Sequence, residues 1–411
     1  MINYEKYTLE NGLNVILNHD PHTPLVHVNL LYRVGAKHEN PERTGFAHLF
    51  EHLMFSGSKH VPDYDKVVQE VGGENNAFTN NDFTNYYISL PAENIETALW
   101  VESDRMMHLN INQQSLKVQQ GVVIEEFKQR YLNQPYGDVW LLLRPLAYTT
   151  HPYQWATIGK DIRHIEDARL DDVHDFYDRF YQPGRAILSI SGNFQPSQIK
   201  AQVEKWFADI PGKTTETSSY LPEPIQEEER ILTVHRKVDY DAIYMAFHMC
   251  ERKNPLFYQF DLLSDILSTG KSSRLYQELI QKQRLFSELN AWITGDEDPG
   301  LFIISGILMK GVSPEKAKEA IWKELERLHT APPTEAELAK VKTKLESNTR
   351  FGETSALNRA MSLGYFEMLG DIELINTDLN HYESITSADL LATAKRYFVP
   401  DNLSTLYYLA D

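Results

Sequence analysis

Arg179-Phe-Tyr-Gln-Pro-Gly-Arg-Ala-Ile-Leu188 reads as an aromatic helix end, a proline stop and the opening of a strand. The same grammar returns as Arg396-Tyr-Phe-Val-Pro-Asp-Asn-Leu-Ser-Thr405. Upstream, Ile165-x4-Leu170 matches Ile385-x4-Leu390. Any helix–proline–strand junction shares one of these features, but two matches in the same order and at nearly the same offset point to a duplicated chain. Further out, residues 25–31 (Leu-Val-His-Val-Asn-Leu-Leu) and 242–249 (Ala-Ile-Tyr-Met-Ala-Phe-His-Met) are apolar-rich strand candidates, each after a polar turn. A helical stretch follows each, at 45–56 and 256–268.

Between the halves, Pro211 to Arg230 is polar, carries several prolines and has no apolar period. The division expected is a first domain over 1–215, a linker at 211–229 and a homologous second domain over 230–411, with the boundary near residue 220. Strands and amphipathic helices do not alternate regularly as in a parallel doubly wound sheet. The class expected is therefore α+β: two homologous domains, each a mostly antiparallel sheet with helices packed on one face.

Composition narrows the function. At 42% hydrophobic and 24% charged residues, the 411-residue chain is neither collagen-like nor wholly disordered. No apolar run approaches the roughly 18–20 residues of a membrane helix. Lys+Arg 40 against Asp+Glu 58 gives a net charge of −18, which argues against general nucleic-acid binding and suits basic partners or plain solubility. Cys250 is the single cysteine, so neither a disulfide framework nor a zinc site of several thiolates is available. Met1-Ile-Asn-Tyr-Glu-Lys has no basic segment leading into an apolar stretch; the expected compartment is cytoplasmic, or periplasmic if a signal has been removed.

The sharpest chemical signal is His48-Leu-Phe-Glu51-His52. On a helix, His48 and His52 are one turn apart and share a face, so two imidazoles can meet one metal ion. Glu51 lies beside them, placed to take a proton from an activated water. Thr44 is a plausible N-cap, and Gly45 to Phe55 contains no proline. A catalytic zinc needs a third protein ligand and one open position. The helical pattern at 113–131 offers Glu125 and Glu126, both adjacent and both possible.

His-x-x-Glu-His with an acidic helix some 70–80 residues later resembles the inverted-motif zinc peptidases, the family of pitrilysin, insulysin and mitochondrial processing peptidase. Asn11-Gly-Leu-Asn-Val-Ile is similar to the family's opening segment. Gly72-Gly-Glu-Asn-Asn-Ala77-Phe-Thr79 and Thr84-Asn-Tyr-Tyr resemble its active-site edge strand. Gly121-Val-Val-Ile-Glu-Glu resembles the segment bearing the third ligand, and Ser272-Ser-Arg-Leu-Tyr-Gln-Glu-Leu the start of a long helix in the second domain. The match covers essentially the whole chain and is closest to the short, two-domain, half-clamshell members, in which two chains close around a chamber. The resemblance implies a zinc metalloendopeptidase for peptides or unfolded segments. It implies one Zn²⁺ per chain held by His48, His52 and Glu126, Glu51 as general base, and Asn76, Ala77, Phe78 and Thr79 as the strand that binds substrate. The alternative is a non-hydrolytic structural or substrate-gripping subunit, a role that usually goes with loss of the metal motif, which this chain keeps.

Two departures from the family pattern matter. The second glutamate usual seven residues before the third ligand is Gln119 here. Two turns along a helix, it should face the site but brings no charge. The Arg and Tyr, seven apart, that grip substrate in many members fall on Ile280 and Ser287; Arg284 and Phe286 are near but wrongly spaced. The resemblance then implies a heterodimer with a homologous chain that lacks the metal motif and carries the Arg/Tyr pair, or otherwise a homodimer. In the second half, Asp261-Leu-Leu-Ser-Asp265 stands where the metal motif would be and has no histidine. Gly270-Lys-Ser fails as a phosphate loop because the first glycine would fall at Asp265.

Overall fold

The computed structural model describes residues 1–212 and 220–411, so the part of the expected linker at 213–219 lies outside the described residues. Six strands form the first sheet: β1 (Glu5–Thr8), β2 (Asn14–His19), β3 (Leu25–Tyr32), β4 (Glu74–Thr79), β5 (Thr84–Pro91) and β6 (Ala186–Gly192). Five form the second: β7 (Arg230–Arg236), β8 (Ala242–His248), β9 (Phe286–Ile293), β10 (Leu301–Leu308) and β11 (Leu403–Ala410). The helices of the first half are α1 (Phe46–Leu53), α2 (Tyr64–Glu70), α3 (Ile95–His108), α4 (Gln113–Phe127), α5 (Val139–Ala147), α6 (Arg163–Glu166), α7 (Leu170–Phe180) and α8 (Pro196–Phe207). Those of the second half are α9 (Phe257–Ser268), α10 (Pro314–Thr330), α11 (Glu335–Gly352), α12 (Ala356–Leu369), α13 (Leu374–Glu383) and α14 (Ser387–Tyr397).

The sheets show the α+β class and the duplication. Their orders are β1-β2-β6-β3-β5-β4 and β7-β11-β8-β10-β9. Each contains one parallel pair, β2 with β6 and β7 with β11, while every other neighbour is antiparallel. Without β1, the second order repeats the first strand for strand. The repeated sequence junctions deliver β6 and β11: Pro183–Arg185 and Pro400–Asn402 each form a short 3-10 turn that ends the preceding helix and starts the strand.

The compact units are not contiguous in sequence. One comprises 1–129, 155–220 and 349–376; the other comprises 130–154, 221–348 and 377–411. The change at 220/221 falls within the expected linker, but each unit also takes a helix from the other half of the chain. Leu363, Met368 and Leu369 of α12 pack with Ile16, Leu31 and Ile187 of the first sheet. Val139, Leu143 and Ala147 of α5 pack with Ala242, Ala246, Leu301 and Leu406 of the second. Gly364 makes the first contact close, since a Cβ there would stand 3.0 Å from Ser189 Oγ. On β3, alternation sends Leu30 and Tyr32 to the other face, where Tyr32 meets Tyr86 and Tyr181. All of β3 except Leu25 is buried for this reason.

The helix expected over 113–131 runs as α4 to Phe127 and continues as the π-helical segment Lys128–Leu132. A second helical expectation needs correction. No long helix follows Ser272; the run ends in the π-helical segment Tyr276–Lys282, and Arg284 takes a left-handed φ of 53°. Leu285 and Phe286 are buried immediately afterwards at the start of β9, so the chain must turn there. Among the described residues, no helix is long and apolar enough to cross a membrane.

Candidate metal centre

The helix bearing His48 and His52 does not start as its sequence suggests. Gly45, with φ 90°, is the residue before α1, and a Cβ there would lie 2.6 Å from the Ile158 carbonyl oxygen. Thr44 does not cap it; its hydroxyl meets His164 Nδ1 instead. The free N–H groups are taken by Glu39, whose two carboxyl oxygens accept from Gly45 and Ala47 at 2.8 Å each. Burial pushes the Glu39 carboxyl up to about 8, against the pull of these donors. Nothing local in the sequence marks a cap six residues upstream.

Phe46, Ala47, Leu49, Phe50 and Leu53 form the buried face of α1, with Phe50 stacked on Phe176 and Tyr181. The helical period then turns His48, Glu51 and His52 to the opposite, half-buried side. Glu126 arrives there from the last turn of α4. Its Oε2 lies 3.6 Å from His48 Nε2 and 3.4 Å from His52 Nε2. The imidazole rings stand nearly perpendicular, with centroids 4.9 Å apart. Ligands about 2.0–2.1 Å from a tetrahedral zinc are about 3.3 Å from one another, so this donor set fits the ion. Glu125 is placed otherwise: it is exposed and pairs with Lys128.

Glu51 also has a fixed neighbour. Thr79, the last residue of β4, donates its hydroxyl to Glu51 Oε2 at 2.6 Å. The resemblance implies only a substrate-strand role for Thr79; no spacing rule in the sequence points to its hold on Glu51, and across the tight turn its hydroxyl also stands 3.4 Å from that of Thr84. Behind Glu51, the Tyr86 and Tyr181 hydroxyls are 3.1 Å apart, and burial above all keeps both in the neutral phenol form, with the Glu51 charge acting in the same sense. Thr79→Val is expected to lower kcat about ten-fold with zinc content and KM little changed, because it frees Glu51 to rotate. Steady-state kinetics with metal analysis checks this.

Among the described residues, β4 lies at the edge of its sheet and pairs only with β5, from Glu74↔Ser89 to Thr79↔Thr84. Asn76 and Phe78 are exposed, while Ala77 and Thr79 face inward. Gln119 donates to Ser56 Oγ at 3.3 Å. In the second unit, Ile280 packs against the core and the Ser287 hydroxyl binds the Ile307 carbonyl. Neither offers Arg/Tyr chemistry; Arg284 is exposed and Phe286 buried.

The family model for insulinase, peptidase family M16, matches residues 14–142, and that for the peptidase M16 inactive domain matches 167–345. The zinc protease PqqE of Helicobacter pylori is 29% identical over 99% of this chain and 92% of its own. YmxG, an uncharacterised zinc protease of Bacillus subtilis, is 26% identical over 97% of this chain and 96% of its own. The crystal structure of a protease from Helicobacter pylori matches with a TM-score of 0.95 at 27% identity, covering 100% of both chains. The periplasmic protease PqqL of Escherichia coli shares the fold, with a TM-score of 0.81 at 16% identity; all of this chain matches 48% of that one. The first model spans the histidine helix and Glu126 and the second spans the repeat that lacks the His-x-x-Glu-His motif, so the two together account for both halves, and the chain belongs to the M16 family of inverted-motif zinc peptidases.

Proposed function

We propose that this chain is a zinc-dependent metalloendopeptidase, with His48, His52 and Glu126 as the zinc ligands and Glu51 as the general base. The convergence of two imidazole nitrogens and the Glu126 oxygen beside Glu51 carries the reading. Zinc held there would supply Lewis-acid activation of water and of the scissile carbonyl. Glu51, held by Thr79, accepts the proton of the attacking water and passes it to the leaving amine nitrogen. The free edge of β4 adds an extended peptide as another strand, with Asn76 to Thr79 offering main-chain hydrogen bonds and little side-chain selectivity. Extended or unfolded segments are the substrates this geometry suits. His48→Ala or Glu126→Ala is expected to lose one tightly bound zinc equivalent relative to the unaltered chain, and peptidase activity with it. Elemental analysis after dialysis, paired with a peptide-cleavage assay, tests the assignment; unchanged zinc in both variants overturns it.

We further propose that the active form pairs two homologous chains around a chamber. The support is that PqqL is about twice as long as the region matched by this chain, and that Ile280 and Ser287 occupy the positions of the substrate-gripping Arg and Tyr. A partner lacking His-x-x-Glu-His and carrying that pair would supply charge-assisted hydrogen bonds to the peptide. The purified chain alone is then expected to be weakly active with zinc bound, and to gain activity on mixing with such a homologue. Full activity alone, unchanged by the partner, favours the second arrangement, a homodimer.

A further inference from the structure

A second cluster of metal-ligand chemistry lies in the same unit, formed by His60, Asp104 and His108. One potential ligand atom from each lies within 4.8 Å of the others, and among the described residues this and the His48/His52/Glu126 group are the two such clusters of three. We propose that it binds a second divalent transition ion of the zinc class, through one nitrogen of each imidazole and one oxygen of Asp104.

Three features favour a built site over a passing surface contact. Asp104 and His108 are four apart near the end of α3 and so project from one face, as two ligands on a helix must. Asp104 is 6% exposed, and its Oδ2 accepts from the Ser58 hydroxyl and from the His60 N–H at 3.0 Å, which fixes the carboxylate plane. Oδ1 is hydrogen-bonded to His60 Nδ1 at 2.6 Å, the contact that a bound ion would replace. The segment carrying His60 is itself pinned. Ser58 bridges to Leu109, the Lys59 N–H reaches the His108 carbonyl at 3.0 Å, and the Asn110 N–H reaches the Gly57 carbonyl at 3.0 Å. The His60 and His108 rings meet edge to face with centroids 5.5 Å apart.

Two imidazoles and a carboxylate form a borderline donor set that suits zinc, cobalt or nickel better than calcium or magnesium. Three protein ligands leave a position for water. His60 is half-exposed at the side chain, so an ion can enter without opening the core. An ion here ties the segment leaving α1 to the end of α3. That segment also carries Ser56, which holds Gln119 of α4. The role inferred is therefore to stiffen the frame that presents both metal-bearing helices. This inference stands on its own cluster and does not depend on the peptidase reading.

The test separates the two sites. A His48→Ala/His52→Ala chain is titrated with Zn²⁺ alone by calorimetry, with elemental analysis after gel filtration. One zinc equivalent is expected to remain, and to disappear when either His60→Ala or His108→Gln is added. The otherwise unaltered chain carrying His60→Ala should lose one of two equivalents and keep the one held by His48 and His52, which distinguishes failure here from failure at that site. Binding of Co²⁺ to the His48→Ala/His52→Ala chain, read from its visible absorption, gives a second measure in case a triple variant folds poorly. No zinc uptake by the His48→Ala/His52→Ala chain, or uptake that survives loss of both His60 and His108, overturns the proposal.

Discussion

Glu51→Gln is expected to keep its zinc and lose about 10²- to 10⁴-fold in peptidase activity, the range that a positioned general base contributes. The substitution isolates one property. Glutamine has the shape of glutamate, its carbonyl oxygen can still accept the Thr79 hydroxyl at the position now 2.6 Å away, and the buried face of α1 is untouched. His48, His52 and Glu126 keep their arrangement, so the metal should remain. What disappears is the capacity to take up a proton. The measurement is kcat/KM on an unstructured peptide together with zinc content by elemental analysis. Glu51→Asp makes a graded companion: it retains basicity but withdraws the carboxylate by one methylene from both Thr79 and the attacking water, and should fall between the two. If Glu51→Gln cleaves at a substantial fraction of the original rate, the proton is handled elsewhere and the proposed mechanism is wrong.

The parts of this site that the sequence discloses are those written as local spacing. His48 and His52 are one turn apart on one helix, and that fixes a shared face whatever surrounds it. The repeated proline junctions place β6 and β11 in equivalent positions because a proline stop acts within a few residues. Glu125 and Glu126 show where local reading ends. Adjacent carboxylates on α4 look alike until packing of Val123 and Phe127 sets the helix rotation and turns Glu126 inward. The exchange of α5 and α12 is less legible still. An amphipathic helix declares that it needs an apolar surface but not which one, and both sheets offer one. Glu39 is hidden for another reason. A side chain that reaches a helix start across a loop obeys no spacing rule, whereas Thr44 occupied the position where a local cap is expected.

Glu102, Ser103, Asp104 and Arg105 of α3 are all buried despite three charged side chains in a row of four. Glu102→Ala is accordingly expected to destabilise the chain by about 3–5 kcal/mol, the usual cost of breaking a buried ion pair by removing one partner. Glu102 holds Arg105 through two bonds, 2.8 Å to Nε and 2.6 Å to Nη2, and also accepts from the Tyr64 hydroxyl at 2.8 Å. Burial works against the Arg105 charge, and Glu102 offsets this so that the guanidinium stays protonated. The same guanidinium lies over the rings of Tyr64 and Tyr86, at 4.5 and 4.4 Å. Without Glu102, a full charge would remain buried among aromatic rings. Urea denaturation of the zinc-free chain measures the loss without ligand binding masking it. Replacing both partners with apolar side chains, Glu102→Leu with Arg105→Met, should cost clearly less than the single change, since no lone charge is left, although the Tyr64 hydroxyl still loses its acceptor. A single change costing under about 1 kcal/mol would show that water reaches this layer. The consequence extends to the metal centre, because Tyr86 bonds to Tyr181, and Tyr181 stacks on Phe50 of α1. A helix resting on a loosened layer holds its imidazoles less firmly, so zinc affinity in Glu102→Ala should fall even though no ligand has been touched.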